Sequence, residues 1–258
     1  MTAAAALCRP AMTDPDFLDL ADGRRIAFRA RTGAGLATLV FLPGYASDMM
    51  GTKALTLDAW AAERELGFVR FDYSGTGASP GDFADGTLER WLEEVLAIVD
   101  HRTDGPLILA GSSMGGWLAM LAALRRPDRV KGLLGIAAAP DFTDWGYDER
   151  ERETLTARGR IERENPYGGE SELTTLAFWQ SGQRLLLGED IPLHCPVRLV
   201  HGDADGEVPL PVALRTVAAL RSSDVQLWLV KGGGHRLSGH GELRPILRAA
   251  ADLVELAA

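Results

Sequence analysis

Apolar positions along this chain fall into two alternating patterns. Short apolar runs at residues 37–42, 67–71, 106–110, 130–138, 197–200 and 225–230 read as buried strands. Between and after them lie segments with helical spacing, at residues 55–66, 87–99, 117–124, 211–220 and 242–256. In the second of these, Leu88, Trp91, Leu92, Val95, Ile98 and Val99 share one face, with Glu89, Glu93 and Glu94 between them. Strand and helix in turn predict a mostly parallel, doubly wound α/β sheet. Residues 17–32 form two short runs around Asp22-Gly23, which predicts a hairpin as an antiparallel entry to that sheet.

The alternation breaks between residues 141 and 191. Residues 148–153 are all charged, and the segment reads as a helical cap inserted into the sheet domain. Over residues 171–187, helical spacing puts Leu173, Leu176, Trp179, Leu186 and Leu187 on one stripe, while Phe178 and Leu185 point away. A helix apolar on two sides buries both. Phe178 and Leu185 then either roof an apolar substrate pocket or belong to a helix buried in the core.

Composition narrows the function. A length of 258 residues suits one α/β domain, residues 1–258, with the cap at residues 141–191 inside it. With 36 acidic against 27 basic residues the net charge is −9, which disfavours nucleic acid and anionic membranes as partners. Cys8 and Cys195 form no closely spaced pair, so neither a disulfide framework nor a cysteine-rich zinc site is expected. Residues 106–124 are uncharged, but Gly111, Ser112, Ser113, Gly115 and Gly116 interrupt them, so no stable membrane insertion is expected. Residues 3–7 are apolar but short and lack a preceding basic region, which makes a poor secretory signal. A frayed N-terminus and a cytoplasmic location follow as expectations.

The chemistry centres on Gly111-Ser112-Ser113-Met114-Gly115, where a strand pattern gives way to a helix pattern. Glycines at both ends permit a tight strand–turn–helix bend that holds the middle residue out. Ser113 is the candidate nucleophile, with Ser112 as its rival at the strand end. Alone the pattern is weak, because chance produces it often.

Reactive groups in open parallel sheets gather at the carboxyl ends of strands, and two more polar residues follow later strands. Asp205 lies in His201-Gly202-Asp203-Ala204-Asp205, and His235 follows Gly232-Gly233-Gly234. An imidazole is needed to take the serine proton, and a carboxylate to orient that imidazole. Asp203 and Asp141 compete with Asp205; His101, His194, His201 and His240 compete less well with His235. Donors for an oxyanion are expected from the backbone N–H groups of Met114 and Tyr45.

Other motifs fail. Gly75-Thr76-Gly77 lacks the third glycine of a dinucleotide fingerprint, where Pro80 stands. His201, Asp203 and Asp205 offer too few ligands nearby for a metal, so no metal and no cofactor are expected.

Taken together, LPGY, FDYSGTGAS, GSSMGG, HGDADGEVP and GGGH resemble the motifs of the α/β-hydrolase superfamily. LPGYASDMMGTKALTLDAW, RFDYSGTGASPGDF and GPLILAGSSMGGWL look like its mitochondrial palmitoyl-protein thioesterase and acyl-glucuronide esterase branch. The resemblance implies an α/β-hydrolase fold, hydrolysis of acyl esters or thioesters through an acyl-enzyme, and the triad Ser113, Asp205 and His235. The expected partner is a small-molecule or acylated substrate. A non-catalytic ligand-binding protein, a peptidase and a carbon–carbon bond hydrolase are the alternatives, the last two using the same residues.

Overall fold

The computed structural model describes residues 14–34, 37–165, 168 and 171–257. The apolar residues 3–7 and Cys8 lie outside them.

The predicted hairpin is present. β1 (Asp16–Asp19) and β2 (Arg25–Arg31) pair antiparallel across a turn at Gly23, whose φ of +88° suits glycine. β3 (Thr38–Leu42), β4 (Gly67–Phe71), β5 (Leu107–Ser112), β6 (Val130–Ile136), β9 (Val197–Gly202) and β10 (Val225–Val230) run parallel to one another. The eight strands lie in the order β1-β2-β4-β3-β5-β6-β9-β10, so β5 is central. This is the α/β-hydrolase fold, a mostly parallel mixed sheet flanked by helices.

Period-two alternation assigns each strand residue to one of two cores. Val40, Leu42, Leu107 and Leu109 face α2 (Leu88–Arg102) and α3 (Met114–Arg125). Leu39, Phe41, Ile108 and Ala110 face α1 (Thr52–Ala62) and α8 (His240–Ala257). α7 (Leu210–Ala219) connects β9 to β10. α1 begins three residues earlier than its hydrophobic spacing suggests and ends at Ala62, because Glu65 turns left-handed at φ +53° before β4.

Between β6 and β9 lie α4 (Phe142–Trp145), α5 (Glu149–Arg158), β7 (Arg160–Arg163), β8 (Glu172–Thr175) and α6 (Leu176–Arg184). The charged run 148–153 forms most of α5's first turns, closed by an Asp148–Glu151 capping box and ended by Gly159 at φ +76°. The single helix expected over residues 171–187 is instead a strand followed by a shorter helix. Thr174 and Thr175 favour extended backbone, and the Thr175 side chain accepts from the Phe178 N–H at 3.1 Å, which starts the helix there.

One side of α6 is buried and the other half-buried, and none of its residues lines the cavity at Ser113. Phe178 is 1% exposed and packs against the main core beside Trp91 and Tyr45. Leu185 packs half-buried on the same core. Leu176 and Trp179 pack against Tyr147, Leu155 and Ile161. The expectation that Phe178 and Leu185 line a substrate pocket is therefore corrected: the sheet domain, not a ligand, covers them.

Candidate active site

β5 ends at Ser112, and the chain turns so tightly at Ser113 that its φ is +53° and its ψ −119°. A non-glycine residue there is strained. Three contacts enforce it: the Ser113 N–H donates to the Ile136 carbonyl at 2.9 Å, and the Ser113 carbonyl accepts from Gly116 and Ala139 at 2.9 and 3.1 Å. The flanking glycines are required by close packing. A Cβ on Gly115 would stand 2.1 Å from the Leu42 carbonyl oxygen, and one on Gly111 2.1 Å from the Gly115 oxygen.

His235 reaches this serine from the loop after β10. Its Nε2 lies 3.0 Å from Ser113 Oγ, and its Nδ1 lies 2.9 Å from Asp205 Oδ2. Asp205 is itself held: its Oδ1 accepts from the N–H groups of Glu207 and Val208, both at 2.9 Å. Burial pushes the Asp205 carboxyl up, but the His235 bond and charge and the two backbone donors outweigh it. The net direction is below the ordinary 3.8.

The rival acids Asp203 and Asp141, and His201, are engaged by other partners. Ser112 is buried at the strand end. Asp203 accepts from Lys231 Nζ at 2.8 Å and the Gly232 N–H at 2.6 Å. Asp141 caps the Leu187 and Gly188 N–H groups at 2.7 and 2.9 Å. His201 is buried behind Asp205, 3.7 Å from its Oδ2, with Nε2 bonded to the Val208 carbonyl at 2.9 Å. The Gly75-Thr76-Gly77 run serves the loops near the site. Asp72 bonds the N–H groups of Met49 and Ala78 at 2.6 and 2.8 Å, and a Cβ on Gly77 would collide with that carboxylate at 2.2 Å.

Met114 opens α3, where the first N–H groups of a helix lack intrahelical partners. Gly44 brings the Tyr45 loop to the elbow: a Cβ there would sit 3.3 Å from Ser113 Cβ. The Tyr45 ring lies in an aromatic cluster with Phe83, Trp91, Phe142 and Phe178. Its hydroxyl donates to the Leu173 carbonyl at 2.5 Å, and burial raises its pKa.

Ser113 and His235 open into a cavity of about 540 Å³. Its walls mix aromatic Phe142, Trp145 and Tyr147 with charged Lys53, Arg163, Glu172, Glu207 and Arg236. Sequence reading did not single out these charged residues. Glu207, two positions past Asp205, places its Oε2 3.7 Å from His235 Nε2. Arg163 is fixed by Glu151 at 2.7 and 2.5 Å and lies over the Tyr147 ring, 4.5 Å from its centroid. Burial pushes the Glu172 carboxyl up, and the neighbouring Glu207 adds to the shift. Arg163 and Glu172 stand at paired ends of the hairpin β7–β8 and reach the cavity from there.

Comparison with known proteins fits this geometry. The chain is 32% identical over 248 residues to human palmitoyl-protein thioesterase ABHD10, mitochondrial, covering 94% of this chain and 81% of that protein. It belongs to the α/β-hydrolase family, as a relative of ABHD10. A family described as serine aminopeptidase, S33, matches residues 34–154. Among solved structures, a putative hydrolase from Agrobacterium vitis S4 is 40% identical with a TM-score of 0.88, covering 95% of this chain and 100% of that one. Mouse ABHD10 is 32% identical with a TM-score of 0.87, covering 94% and 99%. The cytoplasmic expectation gains nothing from the ABHD10 relatives, whose names place them in mitochondria. Among the described residues, no helix of this α/β-hydrolase is long and apolar enough to cross a membrane.

Proposed function

We propose that this α/β-hydrolase is a serine esterase or thioesterase that works through an acyl-enzyme on Ser113. The observation that carries the reading is the continuous chain Ser113 Oγ, His235 Nε2, His235 Nδ1, Asp205 Oδ2, with links of 3.0 and 2.9 Å.

In the first step the Ser113 oxygen attacks the substrate carbonyl while His235 Nε2 takes its proton. The charge gathering on the carbonyl oxygen is met by the N–H groups of Met114 and Tyr45. Asp205 holds the Nδ1 proton on its side of the ring and stabilises the imidazolium. That imidazolium then protonates the departing alcohol or thiol. A water molecule, deprotonated by the same Nε2, attacks the acyl-enzyme and releases the acid.

The mixed walls of the cavity support a compact acyl group, seated against Phe142, Trp145 and Tyr147, with a polar partner beside the charged residues. Residues 141–191 act as the cap of a single domain, since the wall residues Phe142, Trp145, Tyr147, Arg163 and Glu172 come from them. A panel of aryl esters and thioesters with acyl chains from two to sixteen carbons tests this. We expect turnover to peak among short or aromatic acyl groups; a steady rise to sixteen carbons contradicts it. A peptidase reading draws on Glu172 and Glu207, carboxylates placed where a substrate ammonium would be accepted. Aminoacyl arylamides in the same panel decide between the two.

A further inference from the structure

Lys53 stands in the first turn of α1, a poor place for a cation. A helix N-terminus carries partial positive charge; this one has no acidic residue in its first turn, and its cap, Gly51, makes no side-chain bond. The side chain is half-buried on the cavity wall. Burial first, and Arg236 second, bring its pKa down to about 8, while Glu207, Glu242 and Asp205 pull it up. Against these penalties the side chain makes one directional bond among the described residues. Its Nζ donates to the Arg236 carbonyl at 2.5 Å, across 183 residues of sequence.

Arg236 follows His235, in a turn that needs outside support. Gly232, Gly233 and Gly234 precede it, and glycine leaves a backbone many conformations. Leu237 follows it at φ +42°, a strained conformation held by a side chain only 1% exposed. The imidazole sits between a glycine run, held as far as Gly233, and a strained anchor at Leu237. We propose that Lys53 is a positioning residue for His235: its bond to the Arg236 carbonyl ties the turn carrying the imidazole to the first turn of α1. The proposal rests on reading His235 as the base of the acyl-enzyme reaction.

A charged donor bonds roughly twice as strongly as a neutral one, so the tether weakens as pH rises through about 8. Stability moves the other way. Between about 8 and the ordinary 10.5, Lys53 is neutral in the folded chain and charged in the unfolded chain. The unfolded state then binds more protons, and the Lys53 contribution to folding becomes more favourable with rising pH. A lysine that only filled space would not couple falling turnover to that rise.

The test compares the full chain with K53M and K53R between pH 6 and 10, by turnover of a short-chain aryl ester and by amide hydrogen exchange. In K53M we expect kcat to fall on the order of 10- to 100-fold with KM little changed. The alkaline decline near pH 8 disappears, and exchange quickens across residues 233–238 alone. K53R, which keeps a cationic donor, restores most of kcat and carries the decline to higher pH. Wild-type kcat and exchange in K53M, or a loss confined to KM, overturns the proposal. If K53M does not fold, K53Q serves with the same readouts. A wild-type chain that hydrolyses no ester removes the acyl-enzyme reading instead, and exchange still decides the tether.

Discussion

The Tyr45 hydroxyl donates to the carbonyl of Leu173 at 2.5 Å, joining the loop beside the nucleophile turn to the hairpin of the inserted segment. One residue thus joins the backbone N–H proposed for the oxyanion to a side chain anchored in the insertion. Tyr45→Phe keeps the aromatic packing and leaves the Leu173 carbonyl without this donor, a loss of about 1 kcal/mol. We expect faster hydrogen exchange across residues 172–175 and kcat/KM several-fold lower. Unchanged exchange there would separate the loop from the hairpin.

Asp205 is fixed by three donors, so replacing its charge is cleaner than removing its side chain. Asp205→Asn presents an amide N–H to His235 Nδ1, which moves the ring proton to Nε2 and blocks it from accepting the serine proton. Turnover should fall on the order of 10⁴-fold. A carboxyl held below 3.8 in the folded chain contributes stability that is present above 3.8 and lost as pH falls through its lowered folded value. Denaturant melts should therefore show the gap between wild type and Asp205→Asn narrowing as pH drops below 3.8. A constant gap would mean the folded carboxyl is not lowered.

Ser113 pays for its position in backbone strain. Its φ of +53° with ψ of −119° suits glycine, so Ser113→Gly should abolish turnover while relieving roughly 1–3 kcal/mol. Part of that returns through the freer unfolded chain. A melting temperature raised by a few degrees is the expected outcome, and a lowered one would place the strain elsewhere.

Phe178 behaves as a core residue. Phe178→Ala should cost about 3–5 kcal/mol of stability and leave the acyl-chain profile of the remaining folded protein unchanged. A shifted profile would return Phe178 to the substrate pocket.

The sheet was legible because its strands are continuous apolar runs and its helices carry one apolar stripe, so β4 and β10 fall where the pattern puts them. That Ser113, Asp205 and His235 would meet was legible for a related reason: each follows a strand, and a parallel sheet brings strand ends together. The inserted segment was not. A four-residue strand such as β8 has too little pattern to be told from a helix start, and Phe178 on α6 and Leu185 just past its end looked available because sequence does not say what lies opposite. Lys53, Arg163 and Glu207 escaped notice because a charged residue reads as solvent-facing until the fold shows a cavity wall beside it.

The central claim is that Ser113 is activated by His235 as a nucleophile. Fluorophosphonate labelling of the full chain, followed by peptide mass spectrometry, tests it most directly. The account predicts one covalent adduct per chain, on Ser113, absent in Ser113→Ala and strongly slowed in Asp205→Asn. An adduct on another residue, or none in folded protein, would contradict it.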